Sequence, residues 1–160
     1  MLRSPRAGTG PVPWQCGPAG GGGGGGLSVI SRRPAWQSAA AIGIPGTMRV
    51  VPDLVMLSGP PGFATILDGA GSVTAGTSAA APILAAAVLR VNAERLAAGR
   101  RPVGFLNPVI YGELASTFRD VVTGGNDIFG NGICCWAGPG FDAASGLGSP
   151  EIGQWVPLIP

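Results

Sequence analysis

The stretch VTAGTSAAAPILAAAVLR, residues 73–90, decides how this chain is read. A small-residue turn, Ala75-Gly76-Thr77-Ser78, runs directly into an alanine-rich segment whose composition is that of a buried helix. Ser78 then sits where the helix begins, among backbone N–H groups that lack intrahelical partners. The positive end of the helix dipole there favours negative charge, such as a serine alkoxide or a tetrahedral oxyanion. Two readings of Ser78 follow from these residues alone. It is an ordinary N-cap, with Pro82 tolerated inside the first turn, or it is a nucleophile.

Outward from that stretch, composition narrows the chemistry. The 160 residues suffice for one modest domain. The longest apolar run, residues 79–89, ends at Arg90 and falls far short of the ~20 residues a membrane helix needs, so the chain reads as soluble with no membrane partner. MLRSPRAGTGPVPW at the start is basic but holds no apolar core, so it does not read as a signal peptide. The net charge is +2 and the ten basic residues, all arginines, are scattered, which argues against a nucleic-acid partner. Three cysteines, Cys16, Cys134 and Cys135, allow one disulfide at most, and none has zinc-site spacing. There is no histidine and no lysine, so a Ser-His-Asp triad is impossible and any serine nucleophile here needs a carboxylate as its base.

Residues 1–26 hold ten glycines and four prolines and read as disordered or foreign to the fold, because such chain buries too little apolar surface to offset its entropy. A strand is expected at residues 27–30, a short helix from Pro34, and a strand over the apolar run 49–57 with both faces covered, as in a parallel sheet. Residues 63–67 and 71–75 flank Asp68-Gly69, a hairpin signal. The helix from Ser78 should run to about Ala98, its apolar first half buried through the middle of the protein, with Gly99 closing it. Asn107 reads as the N-cap of another short helix with Pro108 next. Further on, Asp120, Asp127 and Asp142 lie among glycines. Such a loop either caps its own turns or offers the carboxylates and inward carbonyls that a calcium ion takes.

GTSAAAP with its alanine-rich helix resembles both subtilisin-like serine peptidases and the sedolisin, or serine-carboxyl, peptidases. Five further segments in order and register resemble the sedolisins, especially their kumamolisin-like members: GGGLSVISRRPAWQ (24–37), VVPDLVMLSGPPGF (50–63), GFLNPVIY (104–111), FRDVVTGGNDI (118–128) and AGPGFDAASGLGSP (137–150). The resemblance covers residues 24–156. It implies an α/β, subtilisin-like fold with a mostly parallel sheet between helices, here truncated on its N-terminal side, and residues 1–23 as a non-family segment. It implies serine-type endopeptidase or tripeptidyl-peptidase activity at acid pH on protein or peptide substrates, and an extracellular location.

Carried over residue by residue, the resemblance makes Ser78 the nucleophile. It makes the side chains of Asp120 and Asp142, with the backbone carbonyls of Val121, Gly138 and Gly140, the ligands of one Ca2+ ion. The family also uses a glutamate base, an aspartate that orients it, and a protonated aspartate in the oxyanion hole. Residues 1–23, which stand where these belong, contain no Asp or Glu. Asp53 is not one of the three and is expected to be structural. The chain thus reads as a peptidase fragment with a nucleophile but no activator, inactive in isolation, or alternatively as a catalytically dead, calcium-stabilised binding domain.

Overall fold

The structure is a computed structural model that describes residues 23–59, 62–127 and 135–159. The readings of residues 1–22, of Pro60 and Pro61, and of residues 128–134 lie outside it. Strand β1 (Gly26–Arg32) pairs antiparallel with β2 (Met48–Val51), and between them come a 3-10 turn (Ala35–Gln37) and the one-turn helix α1 (Ala39–Ile42). Ser38 caps α1 by accepting from the Ala41 N–H. Strands β3 (Phe63–Leu67) and β4 (Ala70–Thr74) form the expected hairpin, with φ of 51° at Asp68 and 80° at Gly69. Those positive angles are the ones a tight two-residue hairpin turn requires.

Helix α2 (Thr77–Ala97) follows at once, and α3 (Asn107–Tyr111), the two-residue strands β5 (Phe118–Arg119) and β6 (Ser149–Pro150), and α4 (Trp155–Leu158) complete the order. The core lies at the far end of α2. Val91, Ile110, Leu114, Trp155 and Ile159 are buried together there, with Val88, Leu106, Phe118 and Ile152 packed around them. Trp155 is wholly buried, and its indole N–H donates to the Thr117 hydroxyl at 2.9 Å, which in turn donates to the Leu114 carbonyl at 2.7 Å. A buried polar edge is thereby satisfied inside an apolar cluster. The guanidinium of Arg95 donates to the Ile159 carbonyl at 2.8 Å and to the Arg101 carbonyl at 2.8 Å, closing the end of α2.

Three expectations need correction. Every sheet among the described residues is a two-stranded antiparallel pair, and none of them contains a parallel ladder. Parallel strands need crossover units, and the apolar run 49–57 forms a ladder only as far as Val51. Nor is the first half of α2 buried: Ala81, Ala85, Ala86 and Leu89 are exposed, and only Val91 and Arg95 are buried along the helix. Among the described residues nothing covers its apolar surface at those positions. Asn107, finally, is not an N-cap. The helix is flanked by Leu106, and the Asn107 amide donates instead to Asp53 at 2.9 Å.

Candidate active site

The approach to Ser78 is set by Gly76. Its φ of 121° is one that side chains rarely adopt, and its N–H donates to the Ser58 carbonyl at 2.5 Å, tying the turn to the segment 54–58. Its carbonyl accepts from Ala79 and Ala80, at 3.0 and 3.4 Å, so Gly76 is the N-cap and Ser78 the second helical residue. The capping reading of Ser78 therefore fails. No side-chain cap bond is formed, and the Ser78 side chain lies on an exposed residue at the positive end of a 21-residue helix. Pro82 stands at the sixth helical position rather than in the first turn, and having no N–H it forfeits the bond to the Ser78 carbonyl.

Beside this helix start lies a cavity of about 260 Å³, walled by Leu54, Met56, Ser58, Ala80, Ala81 and Leu84 among others. Among the described residues no hydrogen bond joins Ser78 to a carboxylate. Glu94 and Glu151 pair with Arg90 and Arg119 on the surface, at 3.1 and 3.3 Å.

Asp53 is occupied as the centre of a polar knot that motif reading did not foresee. Arg49 donates to both of its oxygens, at 2.6 and 2.5 Å, the Tyr111 hydroxyl donates at 2.7 Å, and the Asn107 amide adds a fourth bond. The Gln37 amide, fully buried, donates to the Tyr111 oxygen and to the Val50 carbonyl, both at 2.8 Å, and its own carbonyl accepts from Val50 at 2.9 Å. Burial pushes the Tyr111 hydroxyl far above the ordinary tyrosine range, and its bond to the Asp53 carboxylate adds to the rise. For Arg49 burial acts downward, but the bond and charge of Asp53 outweigh it and raise the guanidinium. The Arg49 guanidinium also lies 4.9 Å from the Trp36 ring centre. Asp53 is structural, as its segment suggested, and is not a free base.

Asp120 and Asp142, two of the residues expected to hold a cation, each bond to the glycine loop. Asp142 accepts from the N–H groups of Ala144 and Ser145 and from the Ser145 hydroxyl through one oxygen, at 2.9, 2.7 and 3.0 Å. Its other oxygen accepts from Gly138 at 2.9 Å. Asp120 accepts from Gly140 at 2.7 Å through Oδ2, while its Oδ1 is buried without a partner. An orphaned buried carboxylate oxygen is costly, and such an oxygen fits a hard cation. Val121 is fully buried next to it. No cluster of three or more His, Cys, Asp or Glu exists among the described residues, so any cation here depends on carbonyl ligands. Cys135 is disulfide-bonded, its partner lying outside the described residues.

Comparison with known proteins bears on this geometry. Kumamolisin from a Bacillus species is 41% identical over 143 residues, which are 86% of this chain and 25% of that protein. A solved Pseudomonas sedolisin, a serine-carboxyl proteinase complexed with pseudo-iodotyrostatin, superposes with a TM-score of 0.69 at 30% identity over 84% of this chain. The chain belongs to the sedolisin family. Human tripeptidyl-peptidase 1 is also similar, 35% identical over 83 residues, which are 48% of this chain and 14% of that enzyme. No family model matches. The chain spans about a quarter of the length of kumamolisin and 35% of the sedolisin chain, so it is a partial member whose relatives are serine peptidases of subtilisin-like α/β fold. Among the described residues no helix is long and apolar enough to cross a membrane.

Proposed function

We propose that this chain is one part of a sedolisin-type serine peptidase domain, residues 24–156 being family sequence, and that Ser78 is its nucleophile. The observation that carries the reading is the exposed Ser78 beyond a Gly76 cap, in a turn anchored to Ser58, with no capping duty of its own.

In the reaction, the Ser78 oxygen forms a bond to the peptide carbonyl carbon while its proton passes to a carboxylate base. Negative charge on the carbonyl oxygen is favoured near the start of α2. The proton then goes to the departing amine, and water releases the acyl group from Ser78. The carboxylates of the described residues are not joined to Ser78, so the base, its orienting aspartate and the oxyanion acid belong to polypeptide outside these residues. Losing one oxyanion donor alone costs about 10² to 10³ in rate, and losing the base as well leaves the isolated chain near background. Carboxyl catalysts work at acid pH, where one can be protonated while another is ionised. Substrates are proteins or peptides, and the place of action is extracellular.

Asp120 and Asp142, with the carbonyls of Val121, Gly138 and Gly140, would hold one Ca2+. Bound there, the ion supplies positive charge to two carboxylates and ties residues 120–121 to the 138–142 loop. The test of the reading is casein cleavage at about pH 4, where carboxyl chemistry operates. The chain alone should leave casein intact. Brisk cleavage that Ser78→Ala does not reduce would remove the role given to Ser78.

A further inference from the structure

Gly146 and Gly148 join the loop that carries Asp142 to the segment that anchors the Ser78 turn. The backbones of Asp142 and Gly146 bond each other in both directions, at 3.3 and 2.8 Å, closing a tight turn beside the carboxylate. From that turn the Leu147 N–H donates to the Asp53 carbonyl at 2.8 Å, and the Gly148 carbonyl accepts from the Val55 N–H at 3.0 Å. Ser149 then pairs with Arg119, the residue before Asp120. Residues 146–149 thus meet the stretches that carry both aspartates and, in the same four residues, the segment 53–55.

The approach is too close for any side chain. A Cβ on Gly146, at a φ of 61°, would lie 2.3 Å from the Asp53 carbonyl oxygen. One on Gly148, at a φ of 97°, would lie 2.2 Å from the Arg119 carbonyl oxygen. Backbone packed on backbone in this way transmits a shift rather than absorbing it. Side chains add a second link, because Val55 packs on the buried cluster of Val121, Cys135 and Ala144.

Three residues beyond Val55 stands Ser58, buried, whose carbonyl receives the Gly76 N–H. Gly76 caps α2 two residues before Ser78. Among the described residues, this is the one hydrogen bond that ties the backbone of residues 75–78 to a segment outside the hairpin and the helix. A continuous path of backbone bonds and contacts therefore runs from Asp142 to the Ser78 turn.

We propose that Gly146 and Gly148 are positioning residues for Ser78, passing the state of the Asp120 and Asp142 loop, and of calcium held there, to the Ser58–Gly76 bond. A group misplaced by about 1 Å can cost about 10² in rate, so the tightness of that bond bears on the reaction. The inference rests on the readings of Ser78 as nucleophile and of Asp120 and Asp142 as calcium holders, and it adds the connection between them. By linkage the connection works in both directions: calcium steadies the Gly76 anchor, and loosening the anchor weakens calcium.

The experiment measures amide hydrogen exchange of the full chain in calcium and in chelator, with calcium affinity taken from isothermal titration. Calcium should slow exchange at Gly76 by at least about fivefold, the lower end of ordinary coupling between sites, and leave the amides of the exposed β3–β4 hairpin unchanged. In Gly76→Ala, where the added side chain resists a φ of 121°, calcium should bind at least about fivefold more weakly although residue 76 is no ligand. Gly146→Ala, with its fold checked by circular dichroism, should lose the response at Gly76. If that variant does not fold, the first two measurements decide.

Calcium that binds without slowing Gly76, or that slows the hairpin by the same factor, would overturn the connection and keep the site. So would an unchanged calcium affinity in Gly76→Ala, or a response at Gly76 that survives in folded Gly146→Ala. No calcium binding at all would remove the site and the connection together, and would leave the role of Ser78 to the cleavage assay.

Discussion

Helix α2 passes through two environments. Beyond Val88 it lies against the buried cluster of Ile110, Leu114, Trp155 and Ile159, and Arg95 is bonded to the chain end. Before Val88 the same helix, which carries no charge there, faces outward at Ala81, Ala85 and Ala86, and the β3–β4 hairpin ahead of it exposes Ile66 to 82%. The more apolar half is the less buried one, because burial depends on what else is present to cover it. The packed end accounts for stability, and the uncovered end carries Ser78.

Substitutions can break or sharpen that contrast. The largest effect is expected at Trp155→Ala, which empties a wholly buried site and strips Thr117 of its donor, for a loss of about 3 to 5 kcal/mol in urea unfolding. Next comes the polar knot around Asp53. Asp53→Ala removes the acceptor of four bonds and should cost about 2 to 3 kcal/mol, moderated by the partial exposure of the Arg49–Asp53 pair.

Tyr111 in the same knot gives a pH test. Its folded-state pKa is raised, so its contribution is fully present below the unfolded value of about 10 and is lost as pH climbs towards the folded value. Stability should therefore fall above about pH 10, and Tyr111→Phe, already weaker at neutral pH, should show a flatter alkaline decline in melting temperature. An unchanged alkaline slope would mean that the hydroxyl is not held as described.

At the glycine loop, calcium should raise the melting temperature of the parent chain by a few degrees and leave Asp142→Ala unmoved, as RT ln(1 + [L]/Kd) requires of a ligand bound only to the folded state. Identical curves in chelator and in calcium would mean that Asp120 and Asp142 form no site. The smallest effect belongs to the uncovered end. Leu89→Ser should change the stability of the isolated chain by no more than about 0.5 kcal/mol, and a loss comparable to that of Trp155→Ala would show that α2 is covered after all.

Much of this was legible in the sequence where the signal is local. Asp68-Gly69 marked the hairpin, and the 21 residues of α2 start within one residue of where Ser78 suggested. The five motifs carried the family. Relations between distant residues were not legible. Tyr111 and Asp53 are 58 positions apart, and Gln37 and Tyr111 are 74 apart, so nothing in local spacing announces the knot. Asn107, read as a cap, instead donates its side-chain N–H to the half-buried carboxylate of Asp53, 54 positions earlier. An all-apolar helix and an apolar strand run state that cover is required, but not that this chain supplies it.

The most direct test follows casein cleavage at about pH 4, where carboxyl catalysts operate, using the chain alone and the chain joined by the complementary kumamolisin portion. The account predicts an inert chain, a cleaving mixture, and a silent mixture when Ser78 is alanine. Equal cleavage with and without the Ser78 hydroxyl would contradict it.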